Sequence, residues 1–494
     1  MTKQFRRCGL RRILAGLVAC TLLAAVFSLP GAAATYIFDP DDEPVYSPDI
    51  YSLSYTVQGD DMPCGAFSEA TDVYVDADDR VYILDTGNNR VVMLDERCAY
   101  RGTLSVFRYQ GQELTLSAPK GLFYHDGQGR LYISDTGHDR ILVSDLEGNV
   151  ERIIEKPETA LIDASLSFQP TKLIVDNLGI VFAQSANVNT GLLIIFPDDS
   201  FGGFFGANTI ETTADVLQEF VWRRIFSYSQ YNASTSYQST EYNNIYWSEK
   251  DRCIYAVTPS AGNASAEITK LNAVGDDLLS KTKFGEPDDT AKKEQNFIDI
   301  TVDTNDLFMA VDRSSGRIYQ YDQNCNLLGV FGGKGATEDT FKDPVALESN
   351  SRNELLVLDA GKNCLSVFTQ TSYGQTLQQA LALYRDGQYA ECIDLWQDLL
   401  RKNANLFSAH IGMGKAYMQL GEYTTAMEYF KNAMDQDDYA LAKAARQEQW
   451  LNRNFATVAI VVIAVFLLVY FYEPLARGVR YLWRRVHRKG GETE

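Results

Sequence analysis

An aspartate that closes a short apolar strand recurs along this chain at a nearly constant distance. That period limits the fold more than any other feature. Each unit has a polar-flanked strand, a loop rich in Asp and Gly, an apolar strand ending in Asp, a tight turn and a further strand. The strand and turn read Arg80-Val-Tyr-Ile-Leu-Asp85 with Arg90, Leu131-Tyr-Ile-Ser-Asp135 with Arg140, Leu307-Phe-Met-Ala-Val-Asp312 with Arg317, and Leu355-Leu-Val-Leu-Asp359 with Cys364. Asp85 to Asp135 is 50 residues, and Asp312 to Asp359 is 47. Two weaker units lie between them, one with strands at 180–185 and 191–196, the other at 244–247 and 253–258. Such strands are rich in Val, Ile, Leu and Tyr and are bounded by turn residues. Six repeats of about four strands each predict a six-bladed β-propeller. Gly87 and Gly137 are expected to supply positive φ in the turn.

Closure of the ring is also predicted. After Phe368 the sixth unit has only three strands before helical periodicity begins. The alternating segment 51–57, ahead of the first unit, is expected to be its fourth strand and so to remove the exposed edge. The run Asp-Thr-Gly-Asn-Asn-Arg-Val at 85–91 resembles the NHL repeat, and the likeness extends over 60–370.

The two ends carry different signals. Residues 1–34 read as a signal peptide, with Arg6, Arg7, Arg11 and Arg12 ahead of an apolar run and Ala32-Ala33-Ala34 at its end. Residues 454–473 read as a transmembrane helix, because Phe455 to Tyr472 is an 18-residue apolar run without charge. Residues 474–494 form a basic tail, which the positive-inside bias places in the cytoplasm. The expected location is therefore a single-pass cell-membrane protein with its N-terminal domain outside. Of the 45 Lys and Arg, 11 lie in the signal or after Tyr472, against 3 of the 65 Asp and Glu. The 34 basic and 62 acidic residues between them give a charge of −28. Such a surface excludes nucleic acid as a partner class. Six Cys remain outside the signal, widely spaced, with Cys64 and Cys98 the pair considered for one bridge.

Residues 35–373 are thus assigned to the propeller, with an insertion at 207–240, and 374–453 to a helical stalk. Gly387 and Gly421, Tyr389 and Tyr423, and Trp396 and Phe430 each stand 34 apart, the tetratricopeptide period. The fold class is mainly β, with an α-helical tetratricopeptide hairpin stalk and one transmembrane helix.

Candidate binding residues form two groups. Alignment of the inner strands puts Asp72, Lys172, Asn244 and Asp299 at the central channel. In the insertion, Trp222, Arg223, Arg224 and Tyr228 are of the residue types that dominate interfaces. The pairs Asp85–Arg90, Asp135–Arg140 and Asp312–Arg317 read as hairpin braces, since a pair repeated in blade after blade is structural. No catalytic residue is assigned. Regucalcin-like gluconolactonases resemble the chain in blade count, and that likeness implies a divalent metal held by Glu, Asn and Asp. Asp72, Asn244 and Asp299 match in part, but the inner strand starts show no Glu. Amidating lyases share NHL repeats and use several His ligands, whereas the propeller here holds only His125 and His138. No cofactor is expected, with Ca²⁺ at the channel residues left open.

The plan resembles NHL-repeat membrane proteins of Gram-positive bacteria, which implies work beside transport or envelope machinery. The leading expectation is an extracytoplasmic, membrane-anchored recognition or scaffold module for a protein, peptide or glycan. A metal-dependent lactonase or lyase and a membrane sensor are the alternatives.

Overall fold

The computed structural model describes residues 35–38, 43–158, 168–186, 188, 191–206, 241–258, 267–279, 284–286 and 295–489. The proposed signal peptide and the whole of the insertion, with Trp222, Arg223, Arg224 and Tyr228, lie outside them.

Six antiparallel sheets follow one another along the chain. Their innermost strands are Asp72–Val75, Gly121–His125, Pro170–Val175, Asn244–Ser248, Phe297–Val302 and Pro344–Ser349. The second strands include Val81–Asp85, Arg130–Asp135, Phe308–Asp312 and Leu355–Asp359. Blade four shows three strands among the described residues. In blade three the repeat begins at Pro170, ahead of the 180–185 strand at which the sequence pattern became visible.

Apolar side chains fill the spaces between neighbouring blades. Val73 and Ile83 of blade one pack with Leu356 and Leu358 of blade six. Leu84 and Val91 pack with Leu122 and Leu131 of blade two. Blades two, three and four share a third cluster, and blades four and five a fourth. Because second strands are covered on both faces, Val81–Asp85 is buried at every position and reads as a continuous apolar run rather than an alternating one.

The recurrent aspartate explains how blades one, two, five and six begin. Asp85 accepts the Ser68 N–H at 2.6 Å, Asp135 that of Ser117 at 2.7 Å, Asp312 that of Asn296 at 2.8 Å and Asp359 that of Asp343 at 2.8 Å. Each carboxylate thus fastens the segment leading into the innermost strand to the end of the second. The arginine is an addition to this contact. Arg90 Nε reaches Asp85 at 2.6 Å and Arg140 Nε reaches Asp135 at 2.8 Å. The third expected pair is not formed. Arg317 turns to Glu286, and Asp312 is held instead by the Ser315 hydroxyl at 2.6 Å.

The glycine expectation is also corrected. Positive φ falls on Asn89 (50°) and Asp139 (55°), not on Gly87 or Gly137. Gly87 donates its N–H to the Ser68 carbonyl at 2.8 Å, and an added Cβ would lie under 3.0 Å from Ser68 atoms. Gly137 stands likewise against Ser117. Close backbone approach, rather than a left-handed turn, demands glycine there.

Tyr51–Gln58 pairs antiparallel with Cys364–Gln370, with Leu53 opposite Phe368 and Thr56 opposite Ser366. The N-terminal segment thereby supplies the fourth strand of blade six. Two further short strands, Tyr36–Phe38 and Pro44–Tyr46, extend blade five through a Tyr36–Val330 pairing. The Tyr36 hydroxyl donates to Glu286 at 2.6 Å. Cys64 and Cys98 are free thiols, so the considered bridge is absent.

Five helices follow: α1 (Ser372–Arg385), α2 (Ile393–Lys402), α3 (Phe407–Gln419), α4 (Tyr423–Asn432) and α5 (Gln436–Lys489). The chain divides into two compact units, 1–382 with 398–406 and 383–397 with 407–494. In the second, Gly414 of α3 lets the Phe430 ring of α4 approach closely, and Phe430 packs with Ala426 and Ala442. Helix α5 runs unbroken through 455–472, where its apolar side chains are exposed, and is long and apolar enough to cross a membrane.

Asp135→Ala should cost about 3–5 kcal/mol, because it strips a buried carboxylate from both Arg140 and the Ser117 N–H. Arg140→Ala should cost about 1 kcal/mol, since the N–H contact survives it. Urea unfolding followed by circular dichroism compares the two. Equal losses would mean that the ion pair, not the backbone fastening, carries the effect.

Candidate functional site

The four channel candidates come together at the narrow waist of the ring. Asp72, Lys172, Asn244 and Asp299 line one cavity of about 90 Å³. Lys172 Nζ lies 2.6 Å from Asp72 Oδ1, joining blade three to blade one. Asp72 Oδ2 accepts the Leu122 N–H of blade two at 2.9 Å. Asn244 donates its amide to Asp299 Oδ1, and Asp299 Oδ2 accepts the Leu347 N–H of blade six at 2.7 Å. The inner strands are therefore stitched to one another by side chains at equivalent positions near their starts.

Glu348 belongs to the same cavity and was missed. Ala346 holds the place in this strand that Asp299 holds in blade five, each opposite the residue before the closing aspartate, and Glu348 stands two residues further along. The available signal was an acidic residue inside the apolar run Val345-Ala-Leu-Glu348. Glu348 Oε1 accepts the Thr301 hydroxyl at 2.9 Å and the Ser349 N–H at 3.2 Å.

Burial governs the electrostatics here. Removal from water raises the Asp72 carboxyl, and the Lys172 ammonium partly offsets this. Asp299 is pushed up to about 7 by burial, opposed by Lys172 and reinforced by Asp72. Glu348 is raised well above the carboxylate range, first by burial and then by Asp299.

A divalent ion does not fit the described residues. Both oxygens of Asp72 and of Asp299 are engaged by protein donors, and among the described residues no three His, Cys, Asp or Glu side chains converge to share an ion. His125 cannot join them. Its Nδ1 accepts the Gln128 N–H at 3.1 Å, which leaves Nε2 to donate to the Asp176 carbonyl at 3.0 Å.

On one side the waist opens into a mouth of about 570 Å³, lined by loops and strand ends of all six blades. Tyr74, Phe123, Tyr246 and Trp247 line both cavities and form an aromatic collar between them. The Tyr74 and Phe123 rings lie 5.0 Å apart. The rim is linked from blade to blade. Asp126 accepts the Ala77 N–H at 3.2 Å, Lys250 meets Asp306 at 2.7 Å, and Asn353 accepts the Thr304 N–H at 3.0 Å. Asp79 accepts the Ser351 N–H at 2.8 Å and pairs with Arg352 at 2.7 Å. Asp303, pushed up to about 7 by burial, accepts the Gln378 amide of α1 at 2.7 Å. None of these loop residues carries a sequence motif.

The NHL-repeat family model matches residues 67–93. No curated protein matches the chain. Among solved structures, virginiamycin B lyase from Staphylococcus aureus with quinupristin is similar at 13% identity, over 63% of this chain and 83% of that one, with a TM-score of 0.39. A gluconolactonase from Xanthomonas campestris is similar at 12% identity, over 69% and 99%, with a TM-score of 0.41. Likenesses this low carry no argument about chemistry.

Asp299→Asn tests the buried carboxylate. A pKa raised on folding stabilises the fold fully below the unfolded value near 4, and that contribution is lost as pH rises through 7. The neutral variant lacks this loss. Its melting temperature relative to wild type should therefore climb between pH 4 and pH 8, by the equivalent of at most roughly 4 kcal/mol. A difference independent of pH in differential scanning fluorimetry would place the ionisation elsewhere.

Proposed function

We propose that this chain is an extracytoplasmic, membrane-anchored recognition module that holds a protein partner at the channel mouth. The observation that carries this reading is the mouth itself: a cavity of about 570 Å³ to which every blade contributes, with a rim tied together by hydrogen bonds and ion pairs. A concave, preformed site with aromatic walls and a few placed polar groups is the usual form of a binding site. Anchoring rests on the apolar α5, and the outside location on the leader at 1–34 and the basic residues after Tyr472. The tetratricopeptide-like helices would serve as spacer, and work beside transport or envelope machinery is part of the same proposal. The lactonase or lyase reading gains no support from the waist, whose Asp oxygens are occupied by protein donors.

Crosslinking of the full-length protein in its membrane, followed by identification of its neighbours, tests this reading. Ala77 and Asn177 are exposed at the mouth, so Ala77→Trp with Asn177→Trp fills it without touching the core. The doubly substituted protein should lose its crosslinked neighbours while melting at the wild-type temperature. The same neighbours in the same yield would overturn the proposal.

A further inference from the structure

We infer that the mouth takes a basic side chain of a polypeptide, its ammonium or guanidinium group directed through the aromatic collar to Glu348. This rests on the recognition reading above and specifies the chemistry of the partner.

The waist holds three carboxyl groups against one base. Asp72, Asp299 and Glu348 face a single ammonium, Lys172, and that ammonium is committed to Asp72 at 2.6 Å. Glu348 is only 8% exposed, and its partners are the neutral Thr301 hydroxyl and Ser349 N–H, both on Oε1. Glu348 Oε2 accepts no hydrogen bond within the described residues, although Glu348 lines the cavity. A buried carboxylate is stabilised by a cation that also donates hydrogen bonds. A metal ion would need several converging ligand atoms, and the described residues do not supply them. An ammonium or guanidinium needs only the charge, one or two acceptors and apolar walls for its stem.

The route to Glu348 suits such a group. Tyr74, Phe123, Tyr246 and Trp247 surround the passage from mouth to waist, and aromatic faces attract cations as well as alkyl chains. The waist, at about 90 Å³, has room for only about three waters' volume, which suits the end of one side chain. The mouth is several times larger and suits the flanking backbone. Trp247 contributes an apolar wall to the passage.

The test uses the full-length protein in detergent and fluorescein-labelled pentapeptides, capped at their far ends, with Lys, Arg or norleucine at the centre of a Gly-Ser frame. Fluorescence anisotropy should show the Lys and Arg peptides binding at least about tenfold more tightly than the norleucine peptide. Glu348→Gln should remove most of that preference with its circular dichroism unchanged, and Trp247→Phe should weaken all three peptides alike. Equal affinity for Lys and norleucine would overturn the inference on the wild-type protein alone, whatever the variants do. So would the absence of binding by any peptide at about 1 mM. n-Butylamine competing as well as the peptide would overturn the polypeptide part. If Lys and norleucine peptides bound alike but both were lost on filling the mouth with Ala77→Trp and Asn177→Trp, the cation would be wrong and the recognition site right. Undiminished binding in that variant would remove both.

Discussion

Four of the six blades depend on one buried carboxylate that accepts a backbone N–H from the segment ahead of their own inner strand, and in blade three the Ser185 hydroxyl takes the Gln169 N–H in its place. A segment entering the interior of a sheet protein brings peptide groups that cannot be left unpaired. Asp85, Asp135, Asp312 and Asp359 meet that need from the end of the second strand, where they are almost wholly buried. The contact spans only 16–18 residues of sequence, so each blade can complete it locally. The arginine beside it neutralises the charge in blades one and two. In blade five the Ser315 hydroxyl, and in blade six the Lys342 and Lys362 N–H groups, supply further hydrogen bonds instead. Within these four blades the aspartate is therefore the constant part of the repeat and the arginine the replaceable part.

The same device operates a second time at the scale of the ring. Asp72 reaches the Leu122 N–H of the next blade, and Asp299 reaches that of Leu347. Holding adjacent inner strands in register this way concentrates acid at the axis, where burial makes ionisation costly. Asp72 is compensated by Lys172 and Asp299 in part by the Asn244 amide. Glu348 stands apart, because neither of its two contacts reaches beyond a neighbouring strand and one of its oxygens makes none. It is the waist carboxylate that the architecture has least use for, and so the one most open to a ligand.

Sequence period made the blades and the clasp legible for a physical reason. The Asp–turn–Arg run and the alternation of 51–57 are local patterns, and the count of strands in the sixth unit left one edge to be filled. The channel residues Asp72, Lys172, Asn244 and Asp299 were legible because they stand at equivalent strand starts. What failed depended on geometry that sequence spacing does not encode. Gly87 serves a close backbone approach, although positive φ would select the same residue. Arg317 finds Glu286, 31 residues upstream, and leaves Asp312 to Ser315. Glu348 stands two residues beyond the aligned position, where the other inner strands carry Tyr74, Tyr124, Ile174, Tyr246 and Thr301, so no repeated acid marked it. The short strands Tyr36–Phe38 and Pro44–Tyr46 hold too few residues for a period to show.

The rim is the feature on which the proposed recognition role rests. Ala77, Thr304, Ser351 and Lys250 lie on loops from four blades, yet each is bonded to a loop of an adjacent blade. A partner that touches several blades at once therefore meets groups whose relative positions were set on folding. Ordering those groups costs nothing further at binding, so contacts that are weak one by one can add. Catalysis would instead require an acid or base free to exchange a proton with a substrate. At the waist the Asp72 and Asp299 oxygens are all held by protein donors, which keeps them in place but out of reach. The interactions that make the ring rigid thus hold its axial aspartates in place, and they leave a preformed mouth with one under-used carboxylate at its base.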